Sequence, residues 1–193
     1  MAAVVGDQFR SAQEQLQLVY ERNTWSSDTV TDLNGRLLLK VKRPTFSATD
    51  VLITDPSSRP IVVIYHELKN FRTNWKVFRE QSRDTPLLCT VRKSSRIQFS
   101  LSLDVFLASN NPDSDSSEPD FQVKKEVLGS SIEVSRGRGG AVVARAEAIS
   151  LLSNTRYQIS VAPGIDYVFV LSLILIVKEK EEARQTAPSS NLR

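Results

Sequence analysis

The sequence has a single cysteine, Cys89, and a single histidine, His66. One cysteine excludes an internal disulfide and a cysteine-rich zinc site, and one histidine limits any catalytic triad or histidine-based metal site to that residue. His66 lies in an apolar, strand-like stretch, where a histidine that simply has a partner on the sheet is the commoner arrangement. No G-x-S-x-G, P-loop or G-x-G-x-x-G pattern occurs either. We therefore expect no catalytic residue, metal ligand or cofactor, and we do not expect an enzyme.

Long apolar runs are also missing, because a membrane-spanning helix needs about 20 apolar residues and the stretch 167–177 is much shorter. The first ten residues do not show the basic start and apolar middle of a signal peptide. Overall, 40% hydrophobic and 24% charged residues describe an ordinary globular protein. We expect no transmembrane span and an intracellular protein, cytoplasmic with peripheral membrane or nuclear association.

The chain is organised around the stretch 167–177, which is apolar except for Ser172. Its β-branched residues would suit a buried strand. Strong helix formers continue it through residue 184, however, and Pro163, Gly164 and Asp166 form a suitable helix start. A helix that is apolar on every side must be buried on every side. The core residues that we predict for this helix are Val168, Phe169, Leu171, Leu173, Leu175 and Ile176.

From residue 25 onward the pattern is one of short strands separated by turns, including the hairpin signal Asn34-Gly35. About eleven strand candidates precede the apolar helix, and closing them into a barrel would bury that helix and remove exposed edges. For residues 8–22 a short helix and an extended lead-in both fit. The clearest alternation predicts one buried and one solvated face, and its inward residues would be Ile97, Phe99, Leu101, Leu103, Val105 and Leu107.

The sequence resembles the plant LURP-one-related family, which shares the tubby C-terminal-like fold with phospholipid scramblases. Matching stretches occur in the family's order and together span roughly residues 24–182. They are residues 30–41, the turn at Asp55, and residues 74–79, 88–95, 103–107, 120–123 and 157–170.

The resemblance implies a mainly β fold, a closed antiparallel barrel of about twelve strands around a central hydrophobic C-terminal helix. We expect one barrel domain over residues 24–184. The polar, weakly patterned residues 1–23 predict a lead-in, and the polar residues 185–193 predict a disordered tail. The resemblance also implies a non-enzymatic protein related to the tubby-like, membrane-tethered transcription factors, with phosphoinositide headgroups as candidate ligands and plant defence as a candidate setting. Direct nucleic-acid binding is not expected.

A basic region supplies a candidate headgroup site, formed by Lys69, Arg72, Lys76 and Arg79. Each basic residue close to an anionic membrane contributes about 1 kcal/mol, so a cluster of four or more would contribute appreciably to binding. The competing interpretation is that these charges scatter around the barrel and only solvate it. A second functional hypothesis is a protein–protein signalling adaptor without lipid binding, which would use the acidic loop around residues 110–119 and the tail as docking segments.

Overall fold

The computed structural model describes residues 3–23, 25–43, 50–69, 72–80, 84–94, 100–110, 118–126, 130–149 and 156–186. Twelve antiparallel strands form a closed barrel in which each strand pairs with its neighbours in the sequence and β1 pairs with β12. The predicted fold class is confirmed. The strands are β1 Leu16–Glu21, β2 Asp28–Asp32, β3 Leu37–Lys42, β4 Asp50–Thr54, β5 Pro60–Lys69, β6 Arg72–Arg79, β7 Leu87–Lys93, β8 Ser100–Leu107, β9 Phe121–Glu126, β10 Ser131–Arg136, β11 Val142–Ala148 and β12 Arg156–Val161.

The one α-helix among the described residues, α1 (Tyr167–Thr186), fills the barrel. Its six predicted core side chains, Val168, Phe169, Leu171, Leu173, Leu175 and Ile176, are each at most 1% exposed. Ser172 is also buried, and its hydroxyl donates to the carbonyl oxygen of Val168 at 2.8 Å, so it needs no partner from the barrel wall. Inward-facing side chains of the strands, such as Leu39, Val77 and Ile159, complete one continuous apolar core.

The barrel has two ends, which we call the entry end, where α1 begins, and the exit end, where α1 ends. Because neighbouring strands are antiparallel, the odd-numbered strands run towards the exit end and the even-numbered strands run back. The predicted Asn34-Gly35 turn joins β2 to β3 at the entry end, where Gly35 adopts a φ of 80° that favours glycine.

Strand β8 differs in part from the predicted alternation. Leu101, Leu103 and Val105 are buried as expected, and Leu107 packs partly buried against the core. The opposite face is not solvated, because Ser102, Asp104 and Phe106 are also at most 6% exposed. Polar side chains cover it from outside, since Gln122 of β9 and Arg138 of the β10–β11 turn both donate hydrogen bonds to Asp104. Ile97 and Phe99 lie outside the described residues.

The barrel also begins earlier than residue 24. Strand β1 lies within the predicted lead-in, adopts the extended alternative, and pairs with both β2 and β12. A short 3₁₀ helix, Asp7–Phe9, precedes it. At the other terminus α1 extends to Thr186, and the rest of the predicted tail, residues 187–193, lies outside the described residues.

Candidate functional site at the two ends of the barrel

One carboxylate, that of Asp166, closes the entry end. Its Oδ1 accepts hydrogen bonds from the backbone N–H groups of Val168 (3.0 Å) and Phe169 (3.1 Å), which caps the first turn of α1. Its Oδ2 accepts from the backbone N–H groups of Val5 (2.8 Å) and Gly6 (3.1 Å). Asp166 therefore caps the helix and fixes the N-terminal segment across the barrel mouth at the same time.

The same closure is completed by apolar contacts. Val5 is 1% exposed, and the ring of Phe9 packs edge-on against that of Tyr167 with centroids 5.7 Å apart. Burial raises the pKa of the Asp166 carboxyl, and its four backbone donors oppose that rise. The sequence suggested Asp166 for the first helical turn, but no feature of residues 1–10 indicated that they would share this carboxylate.

At the exit end a buried cation anchors the helix. Lys178 is 4% exposed, and its Nζ donates to the hydroxyl of Tyr157 at 2.9 Å. Glu181, one turn later, forms an ion pair with Lys125 of β9 and lies 3.9 Å from Lys178. Burial lowers the pKa of Lys178, while the charge of Glu181 opposes that change. The polar end of α1 is therefore attached to β9 and β12.

A second polar group attaches the first three strands to one another. The hydroxyl of Tyr20 in β1 donates to Oδ2 of Asp28 in β2 at 2.7 Å, and Arg43 after β3 contacts both side chains. Burial raises the pKa of Tyr20, and the Asp28 carboxylate adds to that effect while Arg43 opposes it. Next to this group, Arg22 forms an ion pair with Glu182 of α1. These contacts bind the side chains of Tyr20, Asp28 and Arg43 to one another.

The lone histidine packs against an aromatic ring at the same end. Its ring centroid lies 5.5 Å from that of Trp75, and Nζ of Lys180 lies 4.7 Å from the Trp75 ring centroid on the helix side. Burial lowers the pKa of His66, as does the nearby charge of Lys180. His66 thus sits in an aromatic and cationic setting that stabilises its neutral form.

The four residues of the predicted headgroup site lie along one hairpin, not in one cluster. Lys69 and Arg72 are paired directly across the exit end of β5 and β6. Lys76 lies further along β6 and forms an ion pair with Glu67 at 2.9 Å. Arg79 lies at the entry end, about 23 Å from Arg72 along the strand at 3.3 Å per residue. The structure therefore brings together Lys69 and Arg72 and separates Arg79 from them.

The two ends differ in formal charge. The count covers the described positions among the two residues at either end of each strand, in the segments that precede β1 or connect the strands and α1, and in the final turns of α1. The exit end carries twelve cationic residues, Arg22, Lys42, Arg43, Lys69, Arg72, Arg92, Lys93, Lys125, Arg156, Lys178, Lys180 and Arg184. Eight acidic residues accompany them there: Glu21, Asp28, Asp50, Glu126, Glu147, Glu179, Glu181 and Glu182.

At the entry end the balance is reversed. Nine acidic residues lie there, Asp7, Glu14, Asp32, Asp55, Glu80, Asp84, Glu118, Asp120 and Asp166. Six arginines accompany them: Arg10, Arg36, Arg59, Arg79, Arg136 and Arg138. The exit end therefore has an excess of about four positive charges and the entry end an excess of about three negative ones, which gives the barrel a charge dipole along its axis.

A shallow groove of about 320 Å³ crosses the outer wall over β11 and β12. Its only cationic side chain among the described lining residues, Arg145, already contacts Glu133 and Glu147. We therefore assign the groove no ligand. In the part of the chain that the structure describes, no helix has the length and apolar character needed to cross a membrane.

Comparisons with known proteins agree with this architecture. The family model described as LURP-one-related matches residues 15–178. The chain is 36% identical to Protein LURP-one-related 15 of Arabidopsis thaliana over 157 residues, which cover 78% of the chain and 71% of that protein. It is 35% identical to Protein LURP-one-related 10 of the same plant, over 78% of the chain and 80% of that protein.

A third relative, Protein LURP1 of Arabidopsis thaliana, is 32% identical over 80% of the chain and 76% of its own length. An X-ray structure of a protein from Arabidopsis thaliana superimposes with a TM-score of 0.72 at 29% identity, over 94% of the chain and 99% of that protein. The chain belongs to the LURP-one-related family.

Proposed function

We propose that this chain is a non-enzymatic intracellular module that binds anionic lipid headgroups, such as phosphoinositides, at the cytoplasmic surface of a membrane, in the setting of plant defence. The observation that carries the proposal is the excess positive charge at the exit end. Each basic residue near an anionic surface contributes about 1 kcal/mol of attraction. An anionic membrane therefore attracts the exit end and repels the acidic entry end. The charge dipole therefore favours one orientation on the membrane.

A binding role without catalysis agrees with the state of the lone cysteine and the lone histidine. Cys89 is fully buried, and burial raises the pKa of its thiol, so that the reactive thiolate is disfavoured. His66 is packed against Trp75. We accordingly treat the barrel as one binding domain, related to the tubby-like and scramblase-like superfamily, with the N-terminal lead-in and C-terminal tail as accessory segments.

The headgroup site that we propose uses Lys69 and Arg72, with Lys76 further along the same hairpin. Arg79, at the entry end, provides a matched control because it belongs to the same strand and carries the same charge. The double variant Lys69→Glu/Arg72→Glu should lose sedimentation with phosphoinositide-containing vesicles at low salt. The variant Arg79→Glu should bind like the wild type, although it changes the charge of the same strand.

Both variants should show the far-UV circular dichroism and thermal unfolding of the wild type, since the exchanged side chains lie at strand ends. Raising the salt concentration should release the wild type, because screening weakens exposed charge–charge attraction. Equal binding by the wild type and the double variant would refute the assigned residues.

The alternative is a protein–protein signalling adaptor that binds no lipid. The acidic entry end is the observation that favours it, because a surface with excess negative charge suits a basic protein partner. Failure of the wild type to sediment with any anionic vesicle at low salt would refute lipid binding and leave this alternative. Most of the acidic loop expected to contribute, residues 111–117, lies outside the described residues.

A further inference from the structure

An isolated tryptophan projects from the exit end. Trp25, in the connection between β1 and β2, is 95% exposed, whereas the only other tryptophan, Trp75, is 3% exposed. Among the described residues, three more large apolar side chains are about half exposed or more: Leu33 at the entry end (62%), Val142 on the barrel wall (50%) and Ile149 at the exit end (49%). A tryptophan in water is unusual because the indole gains more than most side chains from burial.

The connection that holds Trp25 is built by specific hydrogen bonds. Asp28 Oδ1 accepts from the backbone N–H of Asn23 at 3.0 Å, and Asn23 Oδ1 accepts from the backbone N–H of Trp25 at 3.0 Å. The other oxygen of Asp28 accepts from the Tyr20 hydroxyl. The position of Trp25 is therefore tied to the buried polar group of the barrel, and the indole is presented to solvent at a defined place.

Trp25 shares the exit end with the excess positive charge counted above. Arg22, three residues before it, is paired with Glu182, and Arg43 is paired with the Asp28 side chain that anchors the connection, so the attraction comes from the other cations of that end. An exposed indole at the positively charged end of the barrel combines the two features by which proteins attach to an anionic bilayer, since tryptophan prefers the headgroup level and cations attract anionic lipid. Leu33 has no such surroundings, because Asp32 precedes it at the acidic end.

We propose that Trp25 is the membrane-inserting anchor of this protein, and that it enters the headgroup region of an anionic bilayer when the exit end docks. The inference rests on the proposed lipid-binding function and adds to it an apolar contribution, a specific residue and an orientation. The axis of α1 then points its C-terminal end at the membrane, and the N-terminal segment held by Asp166 faces away.

The test uses sedimentation of the full chain with vesicles of equal parts phosphatidylcholine and phosphatidylserine, with phosphatidylcholine vesicles as the uncharged comparison. Trp25→Ala should lower the partition coefficient about tenfold, which corresponds to covering about 60 Å² of indole, roughly a third of its surface. The matched control is Leu33→Ala, which removes an exposed apolar side chain at the opposite end and should leave the partition coefficient unchanged.

A second measurement locates the indole directly. Acrylamide should quench the fluorescence of Trp25 in the free protein and leave buried Trp75 largely unquenched, so the quenchable fraction reports on Trp25 alone. Anionic vesicles should protect that fraction and shift its emission to shorter wavelength. In Trp25→Phe the quenchable fraction should be absent before vesicles are added, which verifies the assignment.

The outcomes separate this inference from the function on which it rests. The wild type could bind vesicles while Trp25 stays fully quenchable, or Trp25→Ala could partition as the wild type does. Either result would overturn the anchor and leave headgroup binding standing. The indole would then be available to a protein partner instead. Absence of wild-type binding to anionic vesicles would overturn both.

Discussion

Replacing Asp166 by alanine should reveal that one carboxylate couples the central helix to the N-terminal segment. The substitution removes the acceptor of four backbone N–H groups, two in α1 and two at Val5 and Gly6. Loss of a helix N-cap alone costs about 1 kcal/mol. Each hydrogen bond to a charged acceptor contributes about 1.5–3 kcal/mol, so the two bonds to the N-terminal segment add about 3 kcal/mol or more.

That second contribution has an upper bound, because the N-terminal segment can detach and expose its N–H groups to water. We therefore expect Asp166→Ala to lower the free energy of unfolding by about 3–4 kcal/mol in the full chain. In a chain that begins at residue 11, the donors at Val5 and Gly6 are gone, and the same substitution should cost only the cap, about 1 kcal/mol.

The assay is a double-mutant cycle, with urea unfolding of the four proteins followed by intrinsic fluorescence. Hydrogen exchange of the Val5 and Gly6 amides in Asp166→Ala gives an independent reading and should become as fast as in an exposed peptide. Asp166→Asn is a useful third variant, because an amide keeps one acceptor oxygen and can serve only one of the two pairs of donors. An equal cost of Asp166→Ala in the full and shortened chains would refute the coupling.

Three further outcomes follow from the contacts described above. Leu173→Ala should cost about 2–5 kcal/mol in urea unfolding, as for other fully buried leucines, and Leu173→Asp should not fold; a Leu173→Asp protein as stable as the wild type would contradict the central position of α1. Burial raises the pKa of Tyr20, so the unfolded chain loses that proton first and the free energy of unfolding should fall above about pH 10, by up to about 1.4 kcal/mol per pH unit. Unfolding measured at about pH 9 and pH 11 should show a smaller fall in Tyr20→Phe, and an equal fall would exclude Tyr20 as a source. Lys178→Met should change the free energy of unfolding by less than about 1 kcal/mol. Glu181→Met removes the negative charge that faces both Lys125 and Lys178, and it should lower the free energy of unfolding by about 2–3 kcal/mol. Equal effects of the two substitutions would contradict the central role of Glu181.

The barrel and its helix could be predicted because both leave local patterns. The alternation in β8 and the Asn34-Gly35 turn are each recognisable within a few residues of sequence. An apolar run that is followed directly by charged residues likewise indicates a buried helix without information from any other segment. Strand β1 could not be predicted in the same way, because it pairs with β12 as well as with the adjacent β2. Leu18 pairs with Ile159, and no local signal connects residues so far apart in the sequence.

The solvated face expected for β8 was wrong for the same kind of reason. Ser102 and Asp104 are polar, and polarity at alternate positions usually indicates solvent. The burial of Asp104 depends on Gln122 of β9 and Arg138 of the β10–β11 turn, which donate hydrogen bonds to its carboxylate from outside. A buried charge is tolerated when it is paired, so composition alone could not distinguish a solvated carboxylate from a covered one.

The candidate site shows this limit most clearly. Lys69, Arg72, Lys76 and Arg79 are close in sequence, but a strand carries its first and last residues to opposite ends of the barrel. Conversely, Trp25, Lys93 and Arg156 are far apart in sequence and share the exit end, because each lies where an odd-numbered strand ends or an even-numbered strand begins. Counting charges along the sequence therefore does not reveal the charge difference between the two ends of the barrel, which the antiparallel topology creates.

The length of the apolar run in α1 follows from the height of the barrel wall, not from the thickness of a bilayer. Strands β1, β3, β9, β10 and β12 each have six residues, about 20 Å of extended chain. A tilt of about 40° to the barrel axis reduces that length to a wall about 15 Å high. Residues 167–177 rise about 16 Å as a helix, from the residue after Asp166 to the residue before Lys178. The helix becomes polar where the apolar wall ends, and Asp166 and Lys178 fix it there by bonding to groups at the two rims.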